Sequence, residues 1–373
     1  MKKPLFLAAS FLFSVTATTA IASGWRIPEQ SIDSMGKAGA NIASASRADA
    51  AYYNPANMGQ LADSWQMELD ANYIHLSAID YNDDRKESFN HQSDKENFLI
   101  PSGFIVSPDV GGMRFGMAFV APYGLAKHWV NGYGEAFVKK FGLAVFEVNP
   151  TISYTLGEKV GLAAGVRIVR ASGSVHSDAR VIGKELSRDM NGKTTEWGWN
   201  AAINVRPTDG LDLAVTYRSY IDMQFADSSS LNLMGKKVTL DSAISIPAPA
   251  VLSVSAAYDL YDDFTVELTW DRTFWSEYDK FDFDFTPMVP RNPYELAQVR
   301  NWDDSDAFRI GVNYRVNEAV ELLAGLGYDR SPTPTGTLDF SVPDSNAWLY
   351  SFGVRYKLSE RMELGLSTLY DRK

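Results

Sequence analysis

Ala51–Leu61, AYYNPANMGQL, closes a segment beginning near Ser23 that is rich in Gly, Ala and Ser and has no apolar period of 2 or 3.6 long enough to bury a face. From Trp65 onward the pattern changes to alternating apolar and polar runs separated by turn residues, which reads as one long series of β-strands. A segment unable to build its own core, set directly before such a series, is best explained as something the strands surround. The expected fold class is therefore all-β, a transmembrane antiparallel β-barrel over residues 64–373. An N-terminal plug, or hatch, over residues 23–63 fills its lumen.

Residues 1–22 carry Lys2 and Lys3, an apolar core Leu5–Val15, and Ala20-Ile21-Ala22 before Ser23. That is the pattern of a secretory signal peptide, with the mature chain starting at Ser23. The apolar core is too short to span a bilayer as a helix, and no later apolar run is long enough. The 373 residues could hold two ordinary domains, but barrels run long as single ones. Cysteine is absent, so no disulfide framework exists and stability rests on the sheet. The formal charge of −11 becomes −13 without the two leader lysines, and no basic patch is present to neutralise phosphates, which excludes nucleic acid as a partner. Aromatic residues make up 13%, and the 9 Trp and 18 Tyr cluster near strand ends, where amphipathic rings suit the two interfaces of a bilayer.

Long and short connections alternate along the chain. Pro108–Gly111, Gly157–Lys159, Pro207–Gly210, Leu260–Asp263, Val316–Glu318 and Ser359–Arg361 are short, whereas Tyr81–Glu96, Trp129–Phe141, Ile182–Lys193, Asp227–Lys237, Pro287–Asp303 and Ser331–Asn346 are long. Short periplasmic turns and longer external loops produce this alternation in outer-membrane barrels. Between them the period is two: Trp197, Trp199, Ala201 and Ile203 share one face while Glu196, Asn200 and Asn204 share the other. The same holds for Phe264, Val266, Leu268 and Trp270 against Thr265, Glu267, Thr269 and Asp271. The apolar set is assigned to lipid and the mixed set to the lumen.

With hatch, strands and loops in this order, the chain resembles the FadL-type outer-membrane transporters, which carry long-chain fatty acids and, in some members, aromatic hydrocarbons. The resemblance rests on the hatch motif Asn54-Pro55-Ala56, on the start Ser23-Gly24-Trp25 and on the tract Phe119–Lys127, FVAPYGLAK, which looks like the family's kinked third strand. It implies fourteen strands, capture of a hydrophobic ligand in an external apolar groove, transfer to an inner site near the hatch, and sideways exit at the kink. A monomer in the Gram-negative outer membrane is also implied, with outer-membrane lipid, lipopolysaccharide and the barrel-assembly machinery as partners and no cofactor. Independently of resemblance, Pro122 removes a ladder donor and Gly124 weakens the strand, which marks a break in pairing.

The expected ligand contacts are Trp25, Tyr123, Leu125, Trp129, Phe137 and Phe141, with Arg167 or Arg170 for a carboxylate. Strict alternation places Arg167 in the lumen, whereas the family's basic residue matches Arg170; the two agree only if a bulge intervenes. Pairing of a lumenal arginine with an acid such as Glu267 or Glu321 is the structural alternative. Where the family can place a serine before the kink this chain has Ala121, which leaves room for a less polar ligand. No catalytic residue or metal site is expected, because the four histidines lack ligand spacing and Ser34-Met35-Gly36-Lys37 lacks the companions of its motif. A channel for aromatic hydrocarbons, a general porin and a surface adhesin or receptor are the competing readings. Thirteen strands are countable from Ser64, one fewer than the even number of such barrels, so a further strand beyond Lys373 is an expectation.

Overall fold

The computed structural model describes residues 7–18, 24–157 and 159–373. Among these residues the wall is a single sheet, with thirteen passes between Trp65 and Arg372. These are β1 (Trp65–Leu76), β2 (Glu96–Val106), β3 (Met113–His128), β4 (Lys140–Leu156), β5 (Val160–Asp178) and β6 (Leu186–Thr208). β7 runs in two pieces, Leu211–Arg218 and Ile221–Leu233, as does β8, Lys236–Ala248 and Val251–Tyr261. β9 (Phe264–Thr273, resumed at Asp284–Thr286), β10 (Ser305–Arg315), β11 (Val320–Asp329), β12 (Ala347–Ser359) and β13 (Met362–Arg372) complete the series. Successive passes pair antiparallel. Leu7–Thr18, within the stretch read as the leader, stands as a strand at the seam, parallel to both β1 and β13. The Ala20-Ile21-Ala22 cleavage site lies outside the described residues. Among the described residues no helix is long and apolar enough to cross a membrane.

The period of two places side chains as expected. Trp197, Trp199 and Ile203 face outward and exposed, while Asn200 and Asn204 of the same pass are buried inside. One expectation needs correcting. Residues 182–193 and 227–237 are mostly strand rather than loop, since β6 starts at Leu186 and β7 and β8 meet at the turn Met234-Gly235. At 23 residues β6 far exceeds the roughly 9–11 needed to cross a bilayer, so its outer end projects beyond the hydrocarbon. There the outward side chains Asn191, Lys193 and Thr195 are polar, and hydropathy alternation fades while the hydrogen-bond ladder continues.

Residues 24–61 are short-helical, and they are tied to inward-facing groups on widely separated passes. Helix α1 (Ile32–Gly36) is capped by Ser31, whose Oγ accepts from the Ser34 amide at 3.2 Å. Helix α2 (Ala50–Tyr53) leads into the 3-10 turn Pro55–Gln60, with Pro55 at the start, where its missing N–H costs nothing. The Asn54-Pro55-Ala56 motif folds the segment on itself. Asn54 Nδ2 donates to the Ile42 carbonyl and to Asn57 Oδ1, both at 3.0 Å, and Asn57 Nδ2 donates to the carbonyls of Ala43 and Ala45.

Charged groups then anchor the segment to the wall. Glu267 on β9 accepts from the amides of Ile42 at 2.7 Å and of Ala43 and Ser44 at 3.0 Å, and from the Ser44 hydroxyl. Asp33 binds Arg355 of β12 and, at 3.1 Å, Arg47, which reaches on to Glu321 and Glu363. Burial alone would raise the Asp33 carboxyl, but Arg355 and Arg47 outweigh it and hold the group well below the usual carboxylate range. Removing one partner of such a buried pair costs about 3–5 kcal/mol, because the other charge is left uncompensated.

Glu267→Ala should therefore accelerate amide hydrogen exchange at Ile42, Ala43 and Ser44 by about tenfold or more, while heat-modifiable migration of the barrel persists. Exchange at these amides unchanged from the parent would show that Glu267 does not hold the segment. A depressed acid contributes stability that is present above its unfolded value near 4 and lost only as pH falls through the folded value. Burial pushes the Glu29 carboxyl of the same segment up to about 7, so exchange of the segment should vary between about pH 5 and 8, but by the same factor in the parent and in Asp33→Asn. A pH dependence in that window that differs between the two would contradict the role given to Asp33.

Candidate functional site

The wall is interrupted where Pro122 and Gly124 predict it. β2 and β3 pair only from Gly103–Val106 to Gly116–Phe119, and beyond Phe119 the two passes separate. On its other side β3 stays paired to β4 but slips register between Val120 and Tyr123. Both edges of the gap carry a proline, Pro101 and Pro122, which cannot donate to a ladder. A cavity of about 350 Å³ lies here, lined by Ile74, Leu76, Phe98, Leu99, Ile100, Ala121, Gly124, Leu125, Val145 and Phe146. Asn97 also lines it, while the Tyr123 phenol donates to the Pro249 carbonyl at 3.0 Å.

The chain just before α1 closes the inner side of this gap. The Ile27 amide donates to the Pro122 carbonyl at 2.8 Å, the Gly124 amide to the Trp25 carbonyl at 2.9 Å, and the Gln30 side chain bonds both the amide and the carbonyl of Ala121. Ile27 lies between the gap and the lumen, and a Cβ built on Gly124 would meet its Cδ1 at 3.0 Å.

On the lumen side Trp25, Tyr123, Leu125, Trp129 and Phe141 share one buried cluster, so these five expected contacts are brought together. Trp25 packs edge-on against Trp275 at 4.6 Å and Tyr278 at 5.0 Å, with Trp302 at 4.9 Å. The indole N–H groups of Trp25, Trp275 and Trp302 have no hydrogen-bond partner in this box. Trp129 donates to the Phe340 carbonyl at 2.8 Å, and Phe137, 45% exposed, stacks on the Phe340 ring. Trp275 and Tyr278 are there because β9 leaves the wall after Thr273 and returns at Asp284. Ile244–Pro249 of β8 thereby lose their ladder to β9. This second interruption was not anticipated, although Pro247 and Pro249 carry the same signal as Pro122.

The two arginines fare differently from expectation. Arg167 does point inward, but its guanidinium is held by Glu147 of β4, at 2.9 Å from Nη2, and donates to the Ser219 carbonyl. Glu147, rather than Glu267 or Glu321, is its counter-ion, and it also takes Arg218, whose guanidinium lies 4.2 Å over the Tyr52 ring of α2. Arg170 is on the outer surface, bonded to Thr195, because the β5–β6 register runs unbroken from Val160 to Asp178 and no bulge intervenes. It is not in the lumen. Among the described residues, no group of three or more His, Cys, Asp or Glu is placed to hold a metal.

Known proteins share this architecture. Residues 13–370 match the family described as outer membrane protein transport protein (OMPP1/FadL/TodX). Outer membrane protein P1 of Haemophilus influenzae is 22% identical over 73% of the chain, and the chain spans 65% of that relative, just under two thirds. The long-chain fatty acid transport protein of Escherichia coli O6:H1 is 22% identical across 100% of the chain and 93% of its own length. Among solved structures, a Pseudomonas aeruginosa FadL homologue superposes with a TM-score of 0.81 at 20% identity, covering 94% of this chain and 90% of the other. The Pseudomonas putida toluene transporter TodX does so at 0.69 and 16%, covering 91% of each. A strand-rich wall with an apolar outer face, a side gap and a match along nearly its whole length make this chain a member of the OMPP1/FadL/TodX family of outer-membrane transport proteins, which are not enzymes.

Proposed function

We propose that the protein takes up hydrophobic compounds, long-chain fatty acids foremost, by passing them along the aromatic cluster around Trp25 and releasing them sideways between β2 and β3. The observation that carries this reading is the apolar cavity of 350 Å³ where β2 and β3 are unpaired and Ile27 of the N-terminal segment joins the lining. A polar solute gains nothing from such a lining. An alkyl chain leaving water gains roughly 0.8 kcal/mol per buried CH₂, which favours its entry into such a lining. In this reading residues 24–61 plug the lumen, and Ile27 is the side chain that must move, since it lines the opening two residues from Trp25.

A monoaromatic hydrocarbon is the second reading, favoured by the Trp25–Trp275–Tyr278–Trp302 box, whose rings meet at 4.6 to 5.0 Å from Trp25. The P. putida relative in structure is a toluene transporter. Competition of toluene against oleate for the purified barrel separates the two. Large steady single-channel currents would instead favour a porin.

Filling the gap tests the route. Gly124→Leu combined with Ala126→Phe places side chains into the cavity without touching its ladder to β4, and oleate uptake by cells should fall about tenfold while the barrel still shows heat-modifiable migration. Undiminished uptake by the folded double variant would mean that transport does not pass between β2 and β3.

A further inference from the structure

The second interruption of the wall, between β8 and β9, is bounded at both ends. On its outer side Asp241–Ala243 pair with Asp284–Thr286. On its inner side Val251 pairs with Thr273, and the Phe274 amide donates to the Ala250 carbonyl at 2.9 Å. Between these ladders Ile244–Ala248 pair with β7 alone, and Pro247 and Pro249 bring no amide to the open edge. The facing chain is drawn inward there, so that Trp275, Tyr278, Phe281 and Phe283 are buried. A cavity of about 550 Å³ occupies this window, with Tyr220, Phe225, Ile244, Pro247 and Tyr278 among its lining.

Its height follows from the neighbouring passes. Trp197 and Trp199 are exposed on the outer face of β6, as a belt at a membrane interface requires. The Ser219 amide donates to the Trp199 carbonyl at 2.9 Å, and Tyr220, the next residue, lines the window. Beyond it the outward positions are Asp222, Gln224 and Ala226 on β7 and Ala243 and Ser245 on β8, polar or small where the earlier part of β7 carries Leu213, Val215 and Tyr217. The window therefore opens among the outer headgroups, beyond the hydrocarbon, where water can satisfy its free backbone groups.

Towards the lumen the cavity meets Tyr278. That ring is 2% exposed and packs edge-on against Trp25 at 5.0 Å and Trp302 at 5.2 Å. The edge of the window is also tied to β3, since Pro249 is the residue whose carbonyl takes the Tyr123 phenol. Tyr278, Trp25 and Tyr123 thus connect the two interruptions of the wall, and Tyr123 and Ile27 line the farther one.

The rim selects by charge. Glu277, Asp279, Asp282 and Asp284 border the cavity against one base, Lys280, which Asp282 holds at 2.7 Å. An anionic head is repelled there, whereas an uncharged ring is not and gains by burial against Tyr220, Phe225 and Tyr278. We infer that the window is a side entrance for uncharged hydrophobic molecules held among the outer headgroups, benzene-ring hydrocarbons in particular, and that it delivers them to Tyr278 and Trp25. This rests on the transport reading and adds to it a place of entry and the class of molecule that uses it.

Occupancy can be read without transport by photolabelling the purified full chain in detergent with an alkylbenzene that carries a diazirine, and with the sulfonate of the same molecule. The hydrocarbon should label peptides containing Tyr220–Gln224, Ala243–Ser245 and Glu277–Tyr278, and the sulfonate should label them at least about tenfold less. Ala243→Trp with Ser245→Trp, at exposed outward positions, fills the window; it should abolish this labelling and lower toluene uptake by cells about tenfold, with heat-modifiable migration retained. Should that pair fail to fold, Gln224→Trp, exposed and across the ladder from Ser245, takes its place. Labelling of none of these peptides, equal labelling by the sulfonate, or unchanged toluene uptake in a folded, filled variant each overturns the entrance. Glu277→Gln with Asp284→Asn should bring sulfonate labelling up towards that of the hydrocarbon, and an undiminished difference overturns the role given to the rim. If Gly124→Leu with Ala126→Phe leaves toluene uptake intact while the filled window lowers it, release between β2 and β3 fails and the entrance stands. Parent cells that take up neither toluene nor oleate beyond cells lacking the protein would sink the transport reading and the entrance with it.

Discussion

A β-barrel can leave its wall open at membrane depth only if something other than the next strand satisfies the freed backbone. Within hydrocarbon each unsatisfied N–H or C=O costs several kcal/mol, which is why lipid-exposed open edges do not occur. In this protein the donors and acceptors released where β3 parts from β2 are taken by the chain preceding α1: Ile27 with the Pro122 carbonyl, Gly124 with the Trp25 carbonyl, and the Gln30 amide with both polar groups of Ala121. The opening and the stretch Trp25–Gln30 are therefore interdependent. Without residues 25–30 the kinked edge would re-pair or collapse, and without the kink those residues would have no ladder to join.

The segment must in turn be held in place by more than those bonds, and the wall does this with charge. Glu267 gathers three successive amides, Arg355 and Arg47 grip Asp33, and Arg218 lies over Tyr52. Buried ion pairs rarely add net stability over apolar packing, but breaking one is expensive, so they fix position more than they add strength. That suits an element expected to yield locally, at Ile27, while remaining seated elsewhere.

Much of this was legible in the sequence, for physical reasons that also explain what was not. Period-two hydropathy is a local consequence of the pleat, so it told the lipid face from the lumen face and put Arg167 inside, and Arg170 outside, once the register proved continuous. The kink was visible because proline removes a donor wherever it sits. Ile246-Pro247-Ala248-Pro249 carried the same message for β8 and could have been read the same way. The counter-ion of a lumenal arginine was not legible. Glu147 of β4 reaches Arg167 on the adjacent β5 and Arg218 on β7, three passes along, a fact of three-dimensional arrangement with no trace in any one strand.

The glycines of the wall show how closely hatch and barrel were shaped to each other. A Cβ on Gly161 of β5 would lie 2.2 Å from the Ala56 carbonyl oxygen, and one on Gly325 of β11 would lie 2.2 Å from the Lys37 carbonyl carbon. Real Cβ atoms do not approach backbone so closely, and backbone cannot swing aside as a side-chain tip can. Glycine weakens a strand interior, so its presence at these inward positions needs a return, and the return is direct approach of hatch backbone to sheet backbone. Ala56, the last residue of the Asn54-Pro55-Ala56 motif, makes the complementary concession by carrying only a methyl group. The small-residue composition that leaves this segment without a core of its own is thus the property that lets its backbone lie directly against the sheet, and the inward glycines of β5 and β11 are where it does so.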